Sequence, residues 1–81
     1  MEHYKTSDIK LQAFLRLMSP KSFVGVNKEN PQKVSFVFQK STEISELAMN
    51  YLNGTKYEIS PKELANLIDE GKSMIFGDFE M

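Results

Sequence analysis

The sequence predicts a small α+β domain, a β-hairpin with room for a third short strand, packed against three helices in the order (β)-α-β-β-α-α. Two adjacent segments rich in valine and phenylalanine are separated by a loop that contains Asn30-Pro31. Three other stretches repeat their apolar residues at helical spacing. Each of those stretches is bounded by residues that start or stop helices.

Taken in chain order, Tyr4 and Thr6 alternate with Lys5, a pattern that could add one short extended piece to a sheet. Residues 7–18 then place Leu11, Phe14, Leu15 and Met18 on one side of a helix, with Lys10, Gln12 and Arg16 elsewhere on the wheel. Thr6, Ser7 or Asp8 can cap its start, and Asp8 also favours the positive end of the helix dipole. Ser19-Pro20 stops it, because proline disfavours helical geometry in the residue before it.

The hairpin follows, with strands over residues 22–27 and 33–39 and a five-residue loop, Lys28 to Gln32, between them. Val34, Phe36 and Phe38 share one face of the second strand, so that face is expected to meet the core. Gly25 has no side chain to pack and marks a bulge or the close approach of another element.

Ser41-Thr42 opens a second helix in which Ile44, Leu47, Ala48, Tyr51 and Leu52 are in phase, with Glu43 in the first turn. Asn53-Gly54 supplies the left-handed ending. Ser60-Pro61-Lys62-Glu63 reads as an N-cap serine, a proline at the first helical position and the glutamate of a capping box, with Ile59 and Leu64 placed for a hydrophobic staple. The third helix carries Leu64, Leu67, Ile68, Met74 and Ile75 in phase. Gly71 could end it, but the apolar phase runs through Gly71 and favours one helix to about Phe76 over a stop followed by a short strand. Residues 1–77 form a single domain in this reading, and 78–81 a flexible acidic tail.

These elements and their spacing resemble a small family of bacterial, archaeal and phage proteins catalogued only as a domain of unknown function. The residues that carry the likeness are Tyr4-Lys5-Thr6 and Asp8, Ala13-Phe14-Leu15, Gly25-Val26, Asn30-Pro31, the Val34 to Phe38 strand, Tyr51, Asn53-Gly54, Pro61, and Lys72-Ser73 with Ile75. Nearly the whole chain is covered, and the specificity lies in order and spacing rather than in any single motif. At Gly71 the chain departs from the family, which has a larger residue there. The resemblance implies a compact α+β module often carried by phages and mobile elements, and it implies no activity.

Composition narrows the chemistry. With 81 residues, 41% of them hydrophobic and 26% charged, the chain fits one ordinary folded domain of modest stability. It contains no cysteine, which excludes disulfides, thiolate metal sites and cysteine nucleophiles, and fits a cytoplasmic location. No apolar run approaches the roughly 20 residues that cross a bilayer, and the start lacks the pattern of a secretory signal. The single histidine, His3, lies in a terminal segment where it is poorly held against a nucleophile or metal partner. Asp69 and Glu70 are adjacent on a helix and diverge, and no glycine-rich phosphate loop or calcium-type loop is present. The expectation is a protein that is not an enzyme, with no cofactor, no metal and no small-molecule substrate.

Binding is therefore the expected role, through a protein partner or as a homodimer. Met49, Met74, Phe76, Phe79 and Met81 exceed what one small core comfortably hides. The alternative is nucleic-acid binding by the basic hairpin, for which the candidate residues are Arg16, Lys21, Lys28, Lys33 and Lys40. Residues 1–40 hold seven basic and three acidic side chains, a balance of +4, and residues 41–81 hold three and eight, a balance of −5. Such a division fits a charged partner, or two halves that attract one another within the fold.

Overall fold

The computed structural model describes residues 2–29 and 33–76. Strands β1 (His3–Thr6), β2 (Phe23–Asn27) and β3 (Ser35–Gln39) form one antiparallel sheet with β3 in the middle, in the order β1-β3-β2. Helices α1 (Ile9–Met18), α2 (Thr42–Leu52) and α3 (Pro61–Phe76) complete an α+β fold, and a single 3₁₀ turn, Pro20–Ser22, leads from α1 into β2. The expected acidic tail and the loop residues Asn30, Pro31 and Gln32 lie outside the described residues.

The three polar residues ahead of α1 divide the work of starting it. Asp8 is the N-cap, its carboxylate accepting from Lys10 N at 2.9 Å and Leu11 N at 3.1 Å. Thr6 Oγ1 accepts from Asp8 N at 3.1 Å, and Ser7 Oγ donates to Val34 O at 3.0 Å, which ties the β1–α1 junction to the start of β3. Ser41 caps α2 by accepting from Ile44 N. The end of α2 is a complete Schellman motif: Gly54, at φ 81°, donates to Tyr51 O at 3.1 Å, and Thr55 N donates to Asn50 O at 2.9 Å. Ser60 Oγ accepts from Glu63 N at 3.4 Å to begin α3, while the Glu63 side chain stays in solvent.

The core is built where the phenylalanine face of β3 meets α1 and α2. Phe36 and Phe38 are fully buried against Leu11, Phe14 and Leu15 of α1 and Ile44 and Ala48 of α2. Each large apolar side chain buried in this way contributes roughly 1.5–3 kcal/mol. Tyr51 and Tyr57 flank Phe14 with ring centroids at 5.2 and 5.0 Å, and Asn50 Nδ2 donates to the Tyr57 hydroxyl at 3.0 Å. These contacts anchor the connection between α2 and α3 to the core.

Two features depart from simple alternation. Val37 belongs to the opposite face of β3 yet is buried, because it occupies the central strand between Lys5 of β1 and Gly25 of β2. At Gly25, φ is 154° and the β2–β3 register shifts between Phe23 and Gly25, so Val24 is the bulged residue and is left 54% exposed.

Helix α3 runs unbroken through Gly71. Its described side chains are at most half-buried, whereas Gly71, which carries none, is buried against Gln12 of α1.

Candidate interaction face

Helix α2 is amphipathic, and the direction of its apolar stripe decides what it leaves outside. At about 100° per residue, Leu47, Tyr51 and Ala48 fall within roughly 60° of Ile44, whereas Leu52 lies at about 80° and Met49 at about 140°. The first group packs into or against the core. Leu52 and Met49 remain 68% and 60% exposed, the highest values among the large hydrophobic residues that are described. The sequence pattern places Leu52 with the core residues; its position on the shoulder of the stripe, in the last residue of the helix, puts it outside instead.

Met49 and Leu52 converge on a groove of ≈ 410 Å³ together with Ala48, Tyr4 of β1, and the polar residues Lys40, Ser45 and Asn53. An apolar floor with a polar rim is the usual composition of a protein-binding surface. Through Tyr4 the groove adjoins β1, whose outer edge pairs with no other strand among the described residues. Lys40 N donates to Glu2 O at 3.2 Å, and alternation down an antiparallel ladder makes Tyr4–Phe38 and Thr6–Phe36 the further hydrogen-bonded pairs. The main-chain groups of His3 and Lys5 therefore point away from the sheet.

Of the basic residues singled out from the sequence, Arg16 and Lys40 form ion pairs. Arg16 lies under α3, where Nη2 donates to Glu70 Oε1 at 2.8 Å and the guanidinium carbon stands 4.6 Å above the Phe23 ring. That contact joins the basic and acidic halves of the chain. Lys40 pairs with Glu2 at 3.6 Å. Lys21 and Lys40 flank one end of the β2–β3 hairpin and Lys28 and Lys33 the other, about 15 Å away for five-residue strands rising ~3.3 Å per residue. Lys33 lines a concavity of ≈ 460 Å³ together with Lys5, Thr6, Ser7 and Ser35. Sequence reasoning passes over Lys5, which is brought to this place only by the pairing of β1 with β3.

Of the surplus apolar residues, Met49 is exposed and Met74 is half-buried against the core. Phe79, Met81 and the Phe76 side chain lie outside the described residues. Glu43, in the first turn of α2, is exposed and accepts from Ser19 Oγ at 3.1 Å, which ties the start of α2 to the 3₁₀ turn. Among the described residues no group of three or more His, Asp or Glu side chains is arranged to hold a metal ion, and no helix is long and apolar enough to cross a membrane. Comparison with family models, curated proteins and solved structures yields no significant match to the chain.

Proposed function

We propose that this chain is a non-catalytic binding module that receives a protein partner on the groove formed by α2 and β1. The observation that carries the reading is the convergence of Met49 and Leu52 beside Tyr4. Single exposed apolar residues are common on protein surfaces, whereas apolar residues grouped in a groove with a polar rim mark binding sites. Neither Met49 nor Leu52 belongs to the cluster that holds the fold together, so both are free to serve recognition. An association with phages or mobile elements rests on the family resemblance alone.

The test is affinity capture from the native host with a tagged copy and with a Met49→Glu/Leu52→Glu variant. The wild-type chain should retain a discrete protein, its own untagged copies included, and the variant should lose it while keeping its melting temperature within a few degrees. Retention of the same proteins by the variant would end the reading.

A second reading, nucleic-acid binding, draws support from Lys5 and Lys33, which flank a concavity with three hydroxyl-bearing residues. Two ammonium groups in that arrangement suit backbone phosphates, without reading base sequence. Lys5→Glu/Lys33→Glu should then abolish a gel shift that weakens steeply with salt. Absence of any shift at low salt removes this reading.

A further inference from the structure

We infer that the partner at this face is a second copy of the chain, joined through antiparallel pairing of the two β1 edges. This inference rests on the binding face proposed above and names its occupant.

A three-stranded sheet has two free edges, and here they differ. The β2 edge is interrupted by the bulge at Val24-Gly25, a device that twists an edge away from further strand pairing. The β1–β3 ladder runs without a register shift from His3 to Thr6, so the outer edge of β1 is regular.

The hydrogen-bond phase of β1 limits how a second β1 can join. Only His3 and Lys5 direct main-chain groups outward, so these residues must form the hydrogen-bonded pairs of the new ladder. Three symmetric registers satisfy that requirement. Pairing His3 with His3 of the second copy, or Lys5 with Lys5, gives one such pair, and the second of these sets two ammonium groups directly opposite each other. Pairing each His3 with Lys5 of the other copy gives two hydrogen-bonded pairs and keeps the lysines apart.

That third register is two-fold symmetric about Tyr4. It places the two Tyr4 residues in the close, non-hydrogen-bonded position, on the side of the sheet that carries α2. Met49 and Leu52 of both copies then line the same seam. One operation extends the sheet to six strands and covers the exposed apolar residues of α2, as expected of a closed, isologous interface.

The natural chain contains no cysteine, so introduced thiols report geometry without competition. Hydrogen-bonded antiparallel pairs have Cα atoms about 5.5 Å apart, within the range a disulfide spans. Under mild oxidation His3→Cys/Lys5→Cys should form a covalent dimer, while His3→Cys or Lys5→Cys alone stays largely uncrosslinked. Sedimentation of the unmodified chain should show a concentration-dependent doubling of mass. Lys5→Pro, which deletes an outward N–H and none of the β1–β3 bonds, should weaken dimerisation by about tenfold or more, since two hydrogen bonds of ~1 kcal/mol each are lost per dimer. Circular dichroism of the Lys5→Pro chain should match that of the unmodified chain, which separates loss of pairing from loss of folding.

Efficient crosslinking of Lys5→Cys alone would overturn the register. A monomeric mass at millimolar concentration would overturn the dimer, and in that case loss of a captured heterologous protein on Met49→Glu/Leu52→Glu would still leave the binding face in place. If that variant changes neither the mass nor the captured proteins, both inferences fall.

Discussion

Gly71 of α3 lies directly against Gln12 of α1: a Cβ built on Gly71 would stand 3.0 Å from Gln12 Cδ and closer still to its Nε2. Gln12 is fully buried, its Nε2 donates to Leu67 O at 3.0 Å, and its Oε1 has no partner among the described residues. A glycine inside a helix costs about 1 kcal/mol relative to alanine, and here the missing side chain lets the two helices approach. The same contact explains the fully buried position of Gly71 in an otherwise half-exposed helix.

Gly71→Ala should therefore destabilise the fold by about 1 kcal/mol, because overpacking of roughly 1–3 kcal/mol outweighs the gain in helix propensity. In a Gln12→Ala background the obstacle is gone, and the same substitution should become neutral or stabilising. A double-mutant cycle by urea denaturation checks this. Strictly additive effects would show that the two residues do not oppose each other.

Arg16 and Glu70 should contribute unequally although they form one ion pair. The Arg16 side chain is 14% exposed and covers the Phe23 ring, whereas that of Glu70 is 56% exposed. Glu70→Gln removes a partly solvated charge and should cost less than about 0.5 kcal/mol. Arg16→Ala also loses stem packing and the cation–π contact, and should cost about 1–2 kcal/mol. Lysine, which lacks the planar face, should recover little of that loss. Equal losses for the arginine and glutamate variants in thermal unfolding would contradict this division.

Tyr51 should make the protein sensitive to alkali. Burial of its hydroxyl raises its pKa above the ordinary value of 10.0, and the nearby Asp8 carboxylate raises it further. The folded state therefore holds this proton to higher pH than the unfolded chain does. Its contribution is fully present below about pH 10 and is lost as pH rises from there through the folded-state value. The melting temperature should fall above pH 10, and Tyr51→Phe should flatten part of that fall. Parallel curves for the two proteins would assign the alkaline loss to other groups.

The order of elements was legible in the sequence because local chemistry fixes it. The Asp8 cap, the Schellman ending at Gly54, the serine cap at Ser60 and the bulge glycine at position 25 each act within a few residues, and each stands where the pattern predicts. The phenylalanine face of β3 was equally readable, since period-two alternation allows one choice of core face. The candidate site was read only in part. Met49 drew attention as a surplus apolar residue, whereas Leu52 fits the core stripe by spacing and Tyr4 and Lys5 read as a short strand and nothing more.

By itself, then, the sequence determined the α+β class, the boundaries of the helices and the side of the hairpin that packs inward, because capping, turn geometry and hydrophobic periodicity are local properties. Tertiary structure alone decided that β1 joins β3 rather than β2, that Gly71 admits Gln12, and that Arg16 is spent on Glu70 and Phe23. It also decided that Tyr4, Met49 and Leu52 share one groove. Most of those outcomes depend on which distant segments meet, and residues roughly 30 to 60 positions apart leave no trace of their meeting in local spacing.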